Sequence, residues 1–188
     1  MSSTWYSDEP PDPHQRITLA GWMRVVLRGL PMGTIVFSCL GLLLLVRLIE
    51  RPLFGVRRPW TPWITRFVCN SAIAILGMKL VCHGVPMQQR GAGIANHSSW
   101  LDIFTLNARQ NIYFVSKSEV AGWPGIGWLA RATGTLFIRR DRREAAKQTM
   151  LLRDRLLAGH HLLFFPEGTS TDGRDVLPFK TTLFAPFF

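Results

Sequence analysis

A run of seventeen residues without a charge, residues 30–46, constrains this fold most. In helical form the run would be about 25 Å long, at the short end of what crosses the hydrocarbon core of a bilayer. So apolar a surface must be buried, either in a membrane or inside a protein. Gly33, Gly41 and the Leu-rich end of the run favour a membrane over the core of a soluble protein.

Basic and aromatic residues surround this run. Nine Lys and Arg residues stand against Glu50 alone between residues 13 and 82, in a chain with net charge +10 and seven Trp. This pattern suits an anionic membrane surface better than nucleic acid. Residues 17–29 predict an interfacial amphipathic segment, and a Pro- and Arg-rich break at residues 51–63 precedes a second apolar segment, residues 67–82. Because Arg flanks the first run on both sides, two arrangements stay open: a hairpin in one leaflet with both ends cytoplasmic, or a single true span.

The remaining N-terminal residues and the cysteines narrow the class of protein. Residues 1–14 are acidic and Pro-rich, which predicts a disordered tail and not a cleaved signal peptide. Three cysteines lie in apolar sequence without metal-ligand spacing, so we expect reduced packing residues in a protein that faces the cytosol. We predict a membrane-anchoring helical segment over residues 15–82 and a folded domain over residues 83–188.

From residue 83 onward, short apolar strands alternate with helices. The pattern predicts strands near residues 92–95, 112–115, 135–138 and 160–165, with helices near residues 99–108, 124–132 and 142–158. This alternation is typical of an α/β sandwich with a largely parallel sheet. In such a sheet the functional side chains collect at the carboxyl ends of the strands.

The first strand end carries a histidine and a carboxylate. His97 precedes Asp102 by five residues, and Ser99 with Asp102 has the form of a capping box. With His97 in the turn and Asp102 in the first helical turn, the carboxylate can hold one imidazole nitrogen and leave the other to take a proton from a hydroxyl. The amides at the start of the helix could stabilise an oxyanion. The alternative is a helix cap beside a core-edge histidine, and the spacing alone does not exclude it.

Two further strand ends carry polar side chains. Arg139 and Arg140 follow the third predicted strand, and a guanidinium offers a planar fork of donors to phosphate or carboxylate. Glu167, Gly168 and Thr169 follow the last predicted strand and combine a carboxylate, a tight turn and a hydroxyl. Taken singly, each could be a solvated charge or an ordinary turn.

In this order the three motifs resemble those of the glycerolipid acyltransferase family. The family's Asn-His-x4-Asp, Gly-x-x-Phe-Ile-x-Arg and Phe-Pro-Glu-Gly-Thr motifs match residues 96–102, 134–140 and 165–169. The sequence departs from the family in two places. Ser170 stands where the third motif usually continues with Arg, and the chain ends before the place of a fourth, Pro-containing motif. We therefore expect the C-terminal strands of the acyltransferase-like sandwich to be missing, either because the sequence is a fragment or because the domain lacks them.

The resemblance implies acyl transfer from acyl-CoA or acyl carrier protein to the free hydroxyl of a lysolipid. His97 would be the general base and Asp102 its orienting partner, with structural or capping roles for Asn96 and Ser99. No metal and no bound cofactor is expected beyond the acyl donor. The residues expected at the acceptor headgroup are Arg139, Arg140, Glu167, Gly168 and Thr169.

The resemblance leaves the acceptor open. We expect 1-acylglycerol-3-phosphate, giving phosphatidic acid in phospholipid biosynthesis. Residues 167–173 also resemble family members that acylate lyso-ornithine lipid, an acceptor with an amino acid and no phosphate. A non-catalytic, truncated domain that only binds anionic lipid is the alternative outside the enzymes, and such a protein need not keep the His97–Asp102 pair. The resemblance also predicts a catalytic domain on the cytoplasmic face of the inner membrane, with no nucleic acid partner.

Overall fold

The computed structural model of the chain describes residues 17–139, 141 and 143–180. The predicted tail at residues 1–14 and the candidate Arg140 lie outside them. The elements in chain order are α1 (Leu19–Phe54), α2 (Thr61–Leu76), β1 (Gly91–Ile94), α3 (Leu101–Arg109), β2 (Ile112–Lys117), a 3-10 turn (Ser118–Gly122), α4 (Ile126–Thr133), β3 (Leu136–Ile138), α5 (Ala145–Leu157) and β4 (His161–Phe164).

The four strands form one parallel sheet in the order β1-β4-β2-β3. Parallel neighbours need crossover connections, and α3, α4 and α5 supply them. Ile94 of β1 pairs with Phe164 of β4, so these two strands end at the same level of the sheet. The predicted α/β class and parallel sheet are confirmed, with each strand and helix within a few residues of its predicted position. The proposed domain boundaries stay a prediction.

The sheet is buried because side chains of β2, β3 and β4 meet α5 on one face. Leu162 of β4 and Leu152 of α5 are 0% and 1% exposed. Burying one Leu side chain stabilises the folded state by about 1.5–3 kcal/mol. The packing of α5 therefore fixes the strands relative to this helix. The core on this face consists of Tyr113, Val115, Leu136, Leu152, Leu162 and Phe164.

The N-terminal third differs from the sequence prediction, because α1 is one continuous helix of 36 residues. It takes in both the predicted interfacial segment and the charge-free run. The break predicted at residues 51–63 is present but shorter, because only residues 55–60 separate α1 from α2. The helix continues through Pro52 to Phe54 and ends at Gly55, whose φ is 61°. Pro52 has no N–H to donate to the carbonyl of Leu48, and α1 ends two residues later at Phe54. By length and composition α1 can cross a membrane.

A buried carboxylate makes the corner between α1 and α2. Glu50 is 0% exposed and accepts hydrogen bonds from the Trp60 amide at 2.8 Å and the Thr61 amide at 3.1 Å. The Thr61 hydroxyl at 2.8 Å and Arg47 at 3.0 Å complete its shell. A buried charge is tolerated when it is paired and fully hydrogen-bonded. Glu50 therefore caps α2 and turns the chain back into a helical hairpin.

The hairpin packs along the α/β part of the molecule. A cluster joins α2 to α3 through Cys69, Ile73 and Ala108. A small cavity of about 50 Å³ marks the place where the middle of α1 meets α2 and α4, and its lining includes Val36, Leu40, Leu43, Val68, Leu129 and Thr133. The charge-free run of α1 thus packs against α2 and α4.

Replacing Glu50 tests the corner. Glu50→Ala leaves two amides and the Thr61 hydroxyl without their acceptor and removes the carboxylate paired with Arg47. Breaking such a buried pair costs about 3–5 kcal/mol. For a chain of this size we expect the Tm in detergent micelles to fall by roughly 6–20 °C. Asp154→Ala, at an exposed position of α5, is the matched control and should change Tm little. A wild-type Tm for Glu50→Ala would contradict this role.

Candidate active site

The candidate site lies where β1 and β4 end. Because the two strands are paired and end at the same level, the β1–α3 loop (residues 95–100) meets the segment that follows β4 (residues 165–177). The amide of Ala95 donates to the carbonyl of Phe164 at 3.3 Å and continues the ladder one residue beyond β1. The carboxyl edge of a parallel sheet is where α/β proteins carry their sites.

His97 and Asp102 meet as their spacing predicted. Nδ1 of His97 lies 2.7 Å from Oδ2 of Asp102, and both side chains are 22% exposed. The same carboxylate oxygen accepts the amides of Ser98 at 2.8 Å and Ser99 at 3.0 Å. Three hydrogen bonds to one oxygen hold the Asp102 carboxylate in place. The carboxylate in turn orients the imidazole ring of His97. Since Nδ1 is the bound nitrogen, Nε2 is the one that can take a proton.

The start of α3 differs in detail from its prediction. The helix begins at Leu101. Only one of the two hydrogen bonds of a capping box forms, the one from the Ser99 amide to the Asp102 carboxylate. The Ser99 hydroxyl accepts the amide of Leu101 at 3.2 Å instead of that of Asp102. The amides of Ser98 and Ser99 are taken by Asp102, so they do not supply the free oxyanion donors expected at this helix end. The side chain of Asn96 is exposed and makes no hydrogen bond among the described residues, so its predicted capping role is not seen.

An aromatic stack covers one face of the imidazole. The ring of Phe165 lies 4.1 Å from that of His97, with an interplanar angle of 17°. Phe114 stacks on Phe165 in turn, at 5.9 Å and 14°. The stack allows the imidazole little freedom to tilt toward β4. Sequence reasoning missed this contact, although Phe165 belongs to the third motif.

Glu167 is buried next to His97. Its side chain is 1% exposed, and its two oxygens accept the amides of His97 at 2.8 Å and Leu177 at 2.9 Å. The predicted role was a ligand of the acceptor headgroup, and the structure places this carboxylate out of reach of solvent. Its partners among the described residues are backbone N–H groups, not a cationic side chain.

The other predicted headgroup residues lie nearer to solvent. Gly168 has a φ of 71°, which favours glycine, and its amide closes a tight turn onto the carbonyl of Phe165 at 3.1 Å. Thr169 is half-buried on this turn. Arg139 follows β3, two strands and so about 10 Å from β4. Its side chain is 67% exposed and lies 3.6 Å from Glu144, which makes it a surface ion pair beside the site.

The buried His160 is far from His97. His160 lies at the amino end of β4, at the opposite edge of the sheet, where its ring stacks on Tyr113 at 4.1 Å. Burial and the nearby Arg155 lower the pKa of His160 to about 4, so it is neutral at physiological pH. Among the described residues no group of three or more His, Cys, Asp or Glu side chains could hold a metal ion.

Comparison with known proteins places this geometry in a family. The family model described as Acyltransferase matches residues 79–186. The chain is 64% identical over 184 residues to the lyso-ornithine lipid O-acyltransferase of Rhodobacter capsulatus. The aligned region covers 98% of this chain and 66% of that protein. It is 37% identical to a 1-acyl-sn-glycerol-3-phosphate acyltransferase of Neisseria gonorrhoeae, over 61% of the chain and 46% of that protein. The chain thus spans less than two thirds of the length of these relatives.

A solved structure has the same fold. The crystal structure of the 1-acyl-sn-glycerophosphate acyltransferase PlsC from Thermotoga maritima matches with a TM-score of 0.59 and 23% identity, over 88% of this chain and 67% of that one. The family match takes in both the His97–Asp102 pair and the turn at Glu167, and it covers more than half of the sequence. On this evidence the chain belongs to the acyltransferase family.

Proposed function

We propose that this chain transfers a fatty acyl group from a thioester, acyl-CoA or acyl carrier protein, to the hydroxyl of a lysolipid. The observation that carries the proposal is the geometry of His97, whose Nδ1 is held by Asp102 at the carboxyl edge of the sheet. Nε2 takes the proton of the acceptor hydroxyl while its oxygen attacks the thioester carbon. The carbon–sulfur bond then breaks, and the thiolate receives the proton from the imidazolium.

Asp102 supports both halves of this cycle. Its carboxylate holds the neutral imidazole with Nε2 free of a proton, and it stabilises the imidazolium that follows. A positioned base of this kind contributes about 10²–10⁴-fold to the rate. The mechanism needs no covalent enzyme intermediate, because the acceptor oxygen attacks the thioester directly. This leaves Ser98 and Ser99 with structural roles.

Lyso-ornithine lipid is the acceptor we favour. A relative named for that acceptor is 64% identical over nearly the whole chain, whereas the Neisseria relative named for 1-acylglycerol-3-phosphate is 37% identical over a shorter stretch. The first expectation from the sequence was 1-acylglycerol-3-phosphate, which stays the second candidate. Arg140, with Gly168 and Thr169, remains our proposal for contacts with the headgroup of either acceptor.

The turn after Thr169 supports the same preference. Asp172 lies in this turn, 3.7 Å from Arg174, so the turn carries both signs of charge. Adjacent Gly173 packs so closely on the β1–α3 loop that an added Cβ would lie 3.0 Å from the Ser98 hydroxyl oxygen. An ornithine headgroup also carries both signs, as a carboxylate and an ammonium. A phosphate monoester would instead meet the negative charge of Asp172.

We further propose that the α1–α2 hairpin lies in one leaflet on the cytoplasmic side. The apolar helix α1 indicates membrane association. Its middle contacts α4, so a crossing α1 would bring the α/β part to the depth of the hydrocarbon. If the hairpin instead lies parallel to the membrane surface within one leaflet, the sheet stays in water. The strongly exposed apolar residues that it would place in lipid are Leu27, Leu30, Leu45, Leu48 and Leu53.

The first prediction concerns the base. His97→Ala should leave no more than a few per cent of the rate at which membranes carrying the protein acylate lyso-ornithine lipid with a labelled donor. Asp102→Asn should also lose most of the rate, because the amide favours the wrong tautomer. Both variants should stay folded and membrane-bound. His83→Ala, at an exposed histidine outside the site, is the control. Substantial activity of His97→Ala would contradict the mechanism.

The second prediction concerns the acceptor. Asp172→Asn should raise the KM for lyso-ornithine lipid by up to roughly fivefold, the scale of an exposed ion pair of about 0.2–1 kcal/mol. The KM for lysophosphatidic acid should stay the same or fall, because a repulsive charge is removed. Asp175→Asn, an exposed acid three residues on, is the control. Equal changes on both acceptors would show that Asp172 does not select the headgroup.

The third prediction concerns the membrane. In a background without the three natural cysteines, Leu19→Cys and Arg57→Cys mark the two ends of α1. If the hairpin lies in one leaflet, a membrane-impermeant maleimide labels both positions in inside-out vesicles and neither in intact spheroplasts. Labelling of the two positions from opposite sides would establish a crossing helix. Activity of the cysteine-free background confirms that its fold is kept.

A further inference from the structure

We propose that Glu167 is a positioning residue that fixes the backbone of His97, and not a ligand of the acceptor. The proposal rests on the function proposed for His97. The carboxylate of Glu167 is 1% exposed, and its Oε2 accepts the His97 amide at 2.8 Å. Its Oε1 accepts the Leu177 amide at 2.9 Å, so one buried side chain connects the β1–α3 loop to the far end of the segment after β4.

The backbone of His97 is held on both sides. Its amide donates to Glu167, and its carbonyl accepts the amide of Thr171 at 2.9 Å. Together with the hydrogen bond between Asp102 and Nδ1 and the stacked ring of Phe165, these contacts fix the position and the orientation of the imidazole ring. A base must lie within hydrogen-bond reach of the hydroxyl, and a misplacement of 1 Å can cost about 10²-fold in rate.

The turn that carries Thr171 is shaped for this contact. The Thr171 hydroxyl accepts the Gly173 amide at 3.1 Å, and Gly173 has a φ of 79°. Glycine at this position also allows the close approach to Ser98. Ser170 begins this turn where the third motif usually has Arg. In this chain the turn contacts the backbone of His97 through the amide of Thr171.

A carboxylate is the group that this position requires. Its two oxygens can each accept an amide, and hydrogen bonds to an ionised acceptor are shorter and stronger than neutral ones. The amide of Gln has one acceptor oxygen and turns an NH₂ donor toward a backbone N–H donor. Glu167→Gln therefore keeps the size of the side chain and removes one of its two backbone bonds.

The test separates positioning from binding. In the full chain, purified in detergent, Glu167→Gln should lower kcat with lyso-ornithine lipid by about 10²-fold, the cost of a misplaced base. The acceptor KM should change less than threefold. Asp175→Asn, at an exposed acid of the same segment that takes no part in these bonds, is the control. A KM raised tenfold or more with kcat preserved would overturn the proposal and make Glu167 a headgroup ligand.

A second measurement does not depend on activity. Hydrogen exchange should be faster in Glu167→Gln in the peptide covering residues 95–100, in the peptide covering Leu177 or in both, and unchanged in Asp175→Asn, because only the first variant loses a backbone bond to residue 167. Unchanged exchange in Glu167→Gln would also overturn the proposal. If the wild type acylates no lysolipid, the proposed function fails, and the exchange experiment still decides the positioning role. If Glu167→Gln does not fold, Glu167→Asp, with the same charge and a shorter reach, takes its place with the same outcomes.

Discussion

The candidate site depends on one carboxylate oxygen. Oδ2 of Asp102 holds Nδ1 of His97 and two backbone amides, so it joins the base to the first turn of α3. The parallel pairing of β1 with β4 brings the other half of the site, the turn at Glu167, against the same histidine. The sheet thus sets the distance between two loops, and hydrogen bonds to their backbones set the position of the imidazole.

The same physical device recurs at the corner of the hairpin. Glu50 and Glu167 are both buried, and both are satisfied largely by backbone N–H groups. Each lies where two segments distant along the chain must meet, and each would be costly to leave unpaired. Acids are scarce in this basic chain, and these two carboxylates serve to join segments. Glu50 sets the corner between α1 and α2, and Glu167 joins the loop that carries His97 to the segment after β4.

Much of this could be predicted from the sequence because local patterns controlled it. Strand and helix alternation gave the parallel sheet, and the position of His97 outside a helix allowed its contact with Asp102. The continuous helix α1 could not be predicted in this way, since it runs through both Pro31 and Pro52, and proline usually kinks or breaks a helix. The role of Glu167 was hidden for another reason: its partners are backbone amides, which carry no sequence signal.

The central claim is that Asp102 holds His97 as a neutral base with its proton on Nδ1. The most direct measurement is the ¹⁵N spectrum of protein labelled at histidine, with the His97 signals assigned by their loss in His97→Gln. The account predicts that the neutral ring carries its proton on Nδ1 and that Nε2 has the shift of an unprotonated nitrogen. It also predicts that Asp102→Asn redistributes the proton between the two nitrogens. A neutral ring with its proton on Nε2 in the wild type would contradict the account.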